Sequence, residues 1–165
     1  MKTEFDITLS SKDMYRFSMY HAYTGSQGIL SILIAVLCFF AAVTTKGSVE
    51  WMYTLLYAGF GVVFLFYIPC NLYLRSKRQI LSSEVLKHAL HYRIDEEGIH
   101  TSQNEATADL PWEQVYKMVS TKHNVLIYST RVNAFIIPRE QIPGEYDALK
   151  EIASKHLETY RFKVK

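Results

Sequence analysis

The chain has 165 residues, 49% of them hydrophobic and 14% aromatic, and a formal net charge of +2 at pH 7. That length holds one compact domain beside any membrane segments, and the mild charge, with no run of five or more basic residues, excludes nucleic acid as an expected partner. No Lys, Arg, Asp or Glu lies between Arg16 and Lys46 or between Glu50 and Arg75, whereas the chain beyond Arg75 is densely charged, which is the pattern of a membrane boundary and not of a soluble core.

At the start, Phe5 to Ser10 (FDITLS) alternates apolar and polar residues and predicts a strand with Phe5, Ile7 and Leu9 inward. Ser10 or Ser11 is placed to cap the short helix that follows. Residues 1–22 are therefore assigned to a strand and helix that join the later, cytoplasmic domain. An alternating strand in isolation has no partner against which to bury its face.

Two apolar segments, about 23–45 and 51–74, predict a transmembrane hairpin over 23–74. At about 1.5 Å rise per residue the second reaches roughly 36 Å, enough for a hydrocarbon core of about 30 Å with some tilt. A cleaved signal peptide is rejected for the first segment: it begins late, follows Glu4, Asp6 and Asp13, and has no convincing small-x-small cleavage site. Cys38 and Cys70 lie in the two segments at different depths, so neither a disulfide nor a Cys metal site is expected. Lys2, Lys12 and Arg16 precede the first segment and Arg75, Lys77 and Arg78 follow the second, while Lys46 alone stands in the connection. By the positive-inside rule both termini are expected in the cytoplasm of a cell exporting through its plasma membrane. Ala58, Gly59 and Gly61 are candidates for close packing against Ala35, Ala41 and Ala42. Pro69 frees a carbonyl near Leu65 or Phe66 that Asn71 or water could satisfy, an arrangement common near membrane helix ends.

Residues 75–165 are assigned to a cytoplasmic domain. RSKRQILSSEVLKHAL predicts continued helix to about His88, with Ile80, Leu81, Val85 and Leu86 as its apolar stripe. Strands are expected in ALHYRID, GIHTSQ, ATADLP, YKMVSTK, NVLIYST and VNAFIIP, divided by EEG, QNE, PWEQ, KHN and TR. Gly98 is expected to supply positive φ, and His123 and Asn124 a tight reverse turn. Tyr146, Leu149, Ile152, Ala153 and Leu157 recur at helical spacing and predict one amphipathic C-terminal helix. The fold class expected is a membrane α-helical hairpin plus α+β, the latter an antiparallel β-roll or barrel closed by the C-terminal helix.

The order FDITLSSKDMYRF, hairpin, then LPWEQVYKMVSTKHNVLIYSTRVNAFIIPREQI and a helix resembles the YcxB-like membrane proteins of Gram-positive bacteria. Trp112 at the break between strands and the run Ile136, Ile137, Pro138, Arg139 are the most specific parts of the likeness. The resemblance implies a PH-like C-terminal domain and no activity, cofactor or catalytic residue.

Candidate sites are sparse. Arg75, Lys77 and Arg78 suit membrane headgroup contacts, and Trp112, Arg131 and Arg139 are candidate partner or rim residues, with packing favoured for Trp112. Arg131 and Arg139 with Lys117 and Lys122 form a headgroup pocket only if the fold gathers them, and the domain carries about as many acids as bases. His88 and His91, with His100 across a hairpin, lack an obvious further metal ligand, and Asp95, Glu96 and Glu97 read as solvated turn acids. Ser82, Ser83, Ser120 and Ser129 have no nucleophile-elbow or triad pattern around them, and the scattered glycines make no phosphate loop. The expectation is a membrane-anchored, non-catalytic interaction module with no cofactor or metal, whose partners are membrane lipids and a protein or peptide, in a regulatory or immunity-type role. Headgroup binding, a transporter subunit and homo-oligomerisation stand as alternatives.

Overall fold

The structure is a computed structural model that describes residues 2–104 and 106–164. It divides into two compact units, one made by the chain up to Phe17 and from Arg78 onward, the other by Ser18–Lys77. The strand and the first half of the helix at the N-terminus thus belong to the same unit as the C-terminal half of the chain.

In the Ser18–Lys77 unit, α1 (Ser11–Thr24) ends and α2 (Ser26–Thr44) and α3 (Trp51–Ser82) form a hairpin. Both α2 and α3 are long and apolar enough to cross a membrane. Only 22% of the apolar window of α2 and 6% of that of α3 is buried, whereas a soluble core helix would be mostly covered. Leu37, Phe40, Val43, Leu55, Phe66 and Tyr67 are among the large apolar side chains left facing outward. The hairpin closes through small residues at heptad spacing: Gly28, Ser31, Ala35 and Ala42 are buried on α2, and Gly61 is buried on α3 beneath the Phe39 ring. Ser31 Oγ donates to the Phe64 carbonyl at 2.5 Å, a bond between the two helices. Gly59, expected in this seam, is exposed. Cys38 is half-buried and Cys70 exposed, both as free thiols. Pro69 does not end α3, which continues to Ser82.

The other unit contains, among the described residues, two four-stranded sheets. The first has the order β1 (Thr3–Ile7), β2 (Leu90–Ile94), β3 (Gly98–Gln103), β4 (Ala106–Pro111), every pair antiparallel. The second has the order β7 (Ala134–Pro138), β6 (Asn124–Tyr128), β5 (Lys117–Ser120), β8 (Phe162–Lys163). Strand β1 begins and ends earlier than the alternation suggested, but in the expected phase, with Thr3, Phe5 and Ile7 buried and Leu9 packed on the core edge. Phe5 lies opposite Tyr92 in register, their rings stacked with centroids 5.6 Å apart.

The expected closed barrel does not form. Strand β4 runs into Pro111 and a 3-10 turn at Trp112–Gln114, and β5 resumes in the other sheet. Trp112 anchors that change of direction: it is 4% exposed, its Nε1 donates to the Asp95 carbonyl at 2.8 Å, and its ring stacks on His156. Helix α5 (Tyr146–His156) buries Leu149, Ile152 and Ala153 in the core with Ile94, Ile99, Met118, Val125, Ile127 and Ile137. The core is therefore α+β.

Three local expectations are corrected. Helix α3 does not run to His88; Ser83 is extended, and its side chain accepts from the Leu86 amide to cap a separate turn, α4 (Glu84–Lys87), in which the side chain of Val85 lies outside what is described. Gly98 does not adopt positive φ; positive φ falls at Asn104, in the β3–β4 turn, where Glu105 lies outside the described residues, and at Gly47. The turn after β5 has Lys122 and His123 at its tip, with Asn124 already buried in β6. Strand β8, parallel to β5, was not expected.

Candidate functional site

Alternation along β1 to β4 puts one residue in two on the outside, and the register lines those residues into rows. Glu4, Arg93, His100 and Asp109 form one row across the four strands; Asp6, His91, Ser102 and Thr107 form the next. Opposite charges in neighbouring strands attract, and the face is pinned by such pairs. His91 Nδ1 lies 2.8 Å from Asp6 Oδ1. His100 is held on both sides, Nδ1 2.6 Å from Asp109 and Nε2 3.2 Å from Asp95. The Asp109 hydrogen bond holds the His100 pKa above its ordinary value, Asp95 adds to this, and burial opposes it. For Asp95, burial acts upward, but the amides of Glu97 and Gly98 together with His100 outweigh it and lower the pKa.

These contacts correct the reading of the turn acids as merely solvated. Ligand atoms of Asp95, Glu97 and His100 lie within 4.8 Å of one another, which brings carboxylates to a histidine as the sequence alone did not suggest. Both Asp95 oxygens are already engaged, Oδ1 by His100 and two amides and Oδ2 by Arg93 Nε at 3.2 Å. The cluster ties off the β2–β3 hairpin, with a guanidinium where a second cation would have to sit.

The other edge of β4 is the opening in this face. Among the described residues no strand pairs with it, and Ala106, Thr107, Ala108 and Asp109 are all exposed. An edge strand directs half of its N–H and C=O groups outward, and here no lysine or bulge guards it.

The residues singled out in the sequence separate. Arg75, Lys77 and Arg78 are exposed along α3, with Arg75 and Arg78 three apart on one side. Trp112 is buried, as its packing role requires. Arg131 is exposed in the β6–β7 turn. Lys117 sits at that end of the β5–β6 pair, its Nζ 4.5 Å from the Tyr128 ring centroid. Lys122 and Arg139 belong to the opposite end, where Arg139 Nη1 donates to the Thr121 carbonyl at 3.5 Å. The fold therefore does not gather these four residues into one pocket.

Residues 94–153, from the end of β2 into α5, match the family model described as YcxB-like protein. That segment is similar to the YcxB-like family. It takes in β3, β4 and the Trp112 turn, and so contains the open edge. No curated protein and no solved structure matches the chain.

Proposed function

We propose that the protein is a membrane-anchored, non-catalytic interaction module whose YcxB-like domain, of PH-like organisation, binds an extended protein or peptide segment at the inner leaflet. Two four-stranded sheets with a C-terminal helix support the PH-like reading. The excess of Lys and Arg at Lys2, Lys12, Arg16, Arg75, Lys77 and Arg78 over the single Lys46 supports a cytoplasmic placement of both termini. The observation that carries the binding mode is the unpaired, exposed edge of β4. An added strand would satisfy its outward N–H and C=O groups, and Thr107 and Asp109, the latter beside His100, would sort side chains. Tethering concentrates the domain near membrane partners, so a weak edge contact suffices.

The test is photocrosslinking in intact membranes from a reactive group at Thr107, compared with one at Lys150. A discrete adduct from Thr107 alone is expected. Proline at Thr107 or at Ala108 removes an N–H on alternate sides of β4, so one of the two variants keeps the β3 ladder intact and should still lose the adduct. Equal adducts from both positions, or an adduct indifferent to both prolines, would overturn the reading.

A further inference from the structure

A second surface of the YcxB-like unit lies at the β5–β6 turn and is built without the β4 edge. Thr121 N donates to the Asn124 carbonyl at 2.8 Å and Asn124 N to Thr121 Oγ1 at 3.0 Å, which closes the base of the turn and leaves Lys122 and His123 exposed at its tip. Asn124 is buried, and its Nδ2 donates to the Asp13 carbonyl at 3.4 Å, so the first turns of α1, carrying Lys12 and Arg16, stand beside the tip. On the other side Arg139 N donates to the His123 carbonyl at 2.8 Å, and its guanidinium lies 4.2 Å from the centroid of the Tyr146 ring.

Three segments distant in sequence thus bring Lys12, Arg16, Lys122, His123 and Arg139 to one end of the domain. Acidic compensation is thin. Asp13 is buried and turned to its own helix, with Oδ1 3.6 Å from Arg16 and Oδ2 accepting from Ser10, and Glu140 is the carboxylate that acts on His123. Desolvation lowers the His123 pKa, and the positive charges of Arg16, Lys122 and Lys12 lower it further against the opposing Glu140. The potential at the tip is positive.

We infer that this basic tip binds the anionic phospholipid surface of the membrane that holds the chain. The occupant follows from connectivity: α1 ends at Thr24 and the first apolar helix begins at Ser26. Arg16 precedes that helix by ten residues, about 15 Å of helical rise, so the patch is tethered close to a bilayer. A lysine or arginine near an anionic leaflet gains about fivefold in binding, and the effect fades within a Debye length.

The experiment uses the full chain with Cys38→Ala and Cys70→Ala, a bimane fluorophore on His123→Cys, and nanodiscs of phosphatidylcholine alone or with phosphatidylglycerol. Headgroup-spin-labelled lipid serves as quencher. Stronger quenching with phosphatidylglycerol is expected, and it should collapse in about 0.5 M salt, where the Debye length is about 4 Å. Lys12→Glu with Lys122→Glu should cut the phosphatidylglycerol-dependent part by at least about fivefold. Lys150→Glu with Lys155→Glu should leave it unchanged. Should the first pair fail to fold by Trp112 emission, read in a Trp51→Phe background without the bimane label, Lys12→Gln with Lys122→Gln asks the same question. Equal quenching in both lipids, no response to removing the patch charges, or abolition by millimolar inorganic phosphate would overturn the inference, the last by assigning the tip to a free anion.

Discussion

At Gly98 an added Cβ would stand 2.4 Å from the carbonyl oxygen of Leu110, because β3 and β4 begin their pairing there with Gly98 opposite Pro111. Backbone cannot yield as a side-chain tip can, so Gly98→Ala should destabilise the domain by about 1–3 kcal/mol, read from the denaturant midpoint of the detergent-solubilised chain by Trp112 fluorescence in a Trp51→Phe background. A midpoint equal to the parent's would show that the hairpin relaxes at no cost. Two residues on, His100 gives the domain a pH dependence. Its folded pKa is raised above 6.5, so the stability it contributes is fully present below that value and is lost as pH rises through the raised one. Asp95, whose pKa is lowered from 3.8, contributes stability above that value and loses it as pH falls through the lowered one. His100→Gln should therefore flatten the decline in midpoint above pH 6.5, and an unchanged slope would remove His100 as its source.

Among the elements, β1 shows most directly that the two ends of the chain build one core. Ile7 is 1% exposed and pairs with Leu90, whereas Asp6 beside it faces outward to His91. Ile7→Ala should cost about 2–5 kcal/mol and Asp6→Ala less than about 1 kcal/mol, compared by the same denaturant midpoints. Similar losses from both would mean that β1 is not seated against the core. After β1 the chain is clipped a second time, Thr8 N donating to Gln141 Oε1 at 3.0 Å and Gln141 Nε2 to the Thr8 carbonyl at 2.9 Å. Helix α1 then starts on a reciprocal cap between Ser10 and Asp13. Its Phe17 ring lies 6.3 Å from that of Tyr128, on the side of β6 away from the Ile127 core.

For the whole molecule, α2 and α3 are long and apolar enough to cross a bilayer, and the proposed orientation, argued from the cations beside both ends, places their connecting turn outside. In a Cys38→Ala, Cys70→Ala chain, Ser48→Cys should react with an impermeant thiol reagent added to intact cells and Gln103→Cys should react only after permeabilisation. Labelling of Gln103→Cys from outside would reverse the proposed orientation, and with it the inner-leaflet setting of both binding surfaces.

The sequence by itself determined the segments. The charge gaps mark α2 and α3, the alternation marks β1, and the spacing of Leu149, Ile152 and Ala153 marks α5; β3 and β4 occupy the expected residues from end to end. These are legible because period and polarity record how many faces an element buries, and that is a local property. What those faces meet is not local. The run Val125 to Tyr128 is buried on both sides because the core lies against one and α1 against the other, which a count of apolar residues does not distinguish from a single buried face. Two open sheets stand in place of a barrel, and where the chain passes from one to the other a buried tryptophan is bonded to a carbonyl seventeen residues away. Lys122 and Arg139 stood out in the sequence beside Lys117 and Arg131, but only the β5–β6 register sent the two pairs to opposite ends and set Lys12 and Arg16 beside the first. Register and the docking of distant segments depend on the sum of many contacts between residues far apart in the chain, so tertiary structure alone decided where this protein concentrates charge and, among the described residues, leaves one edge of β4 open.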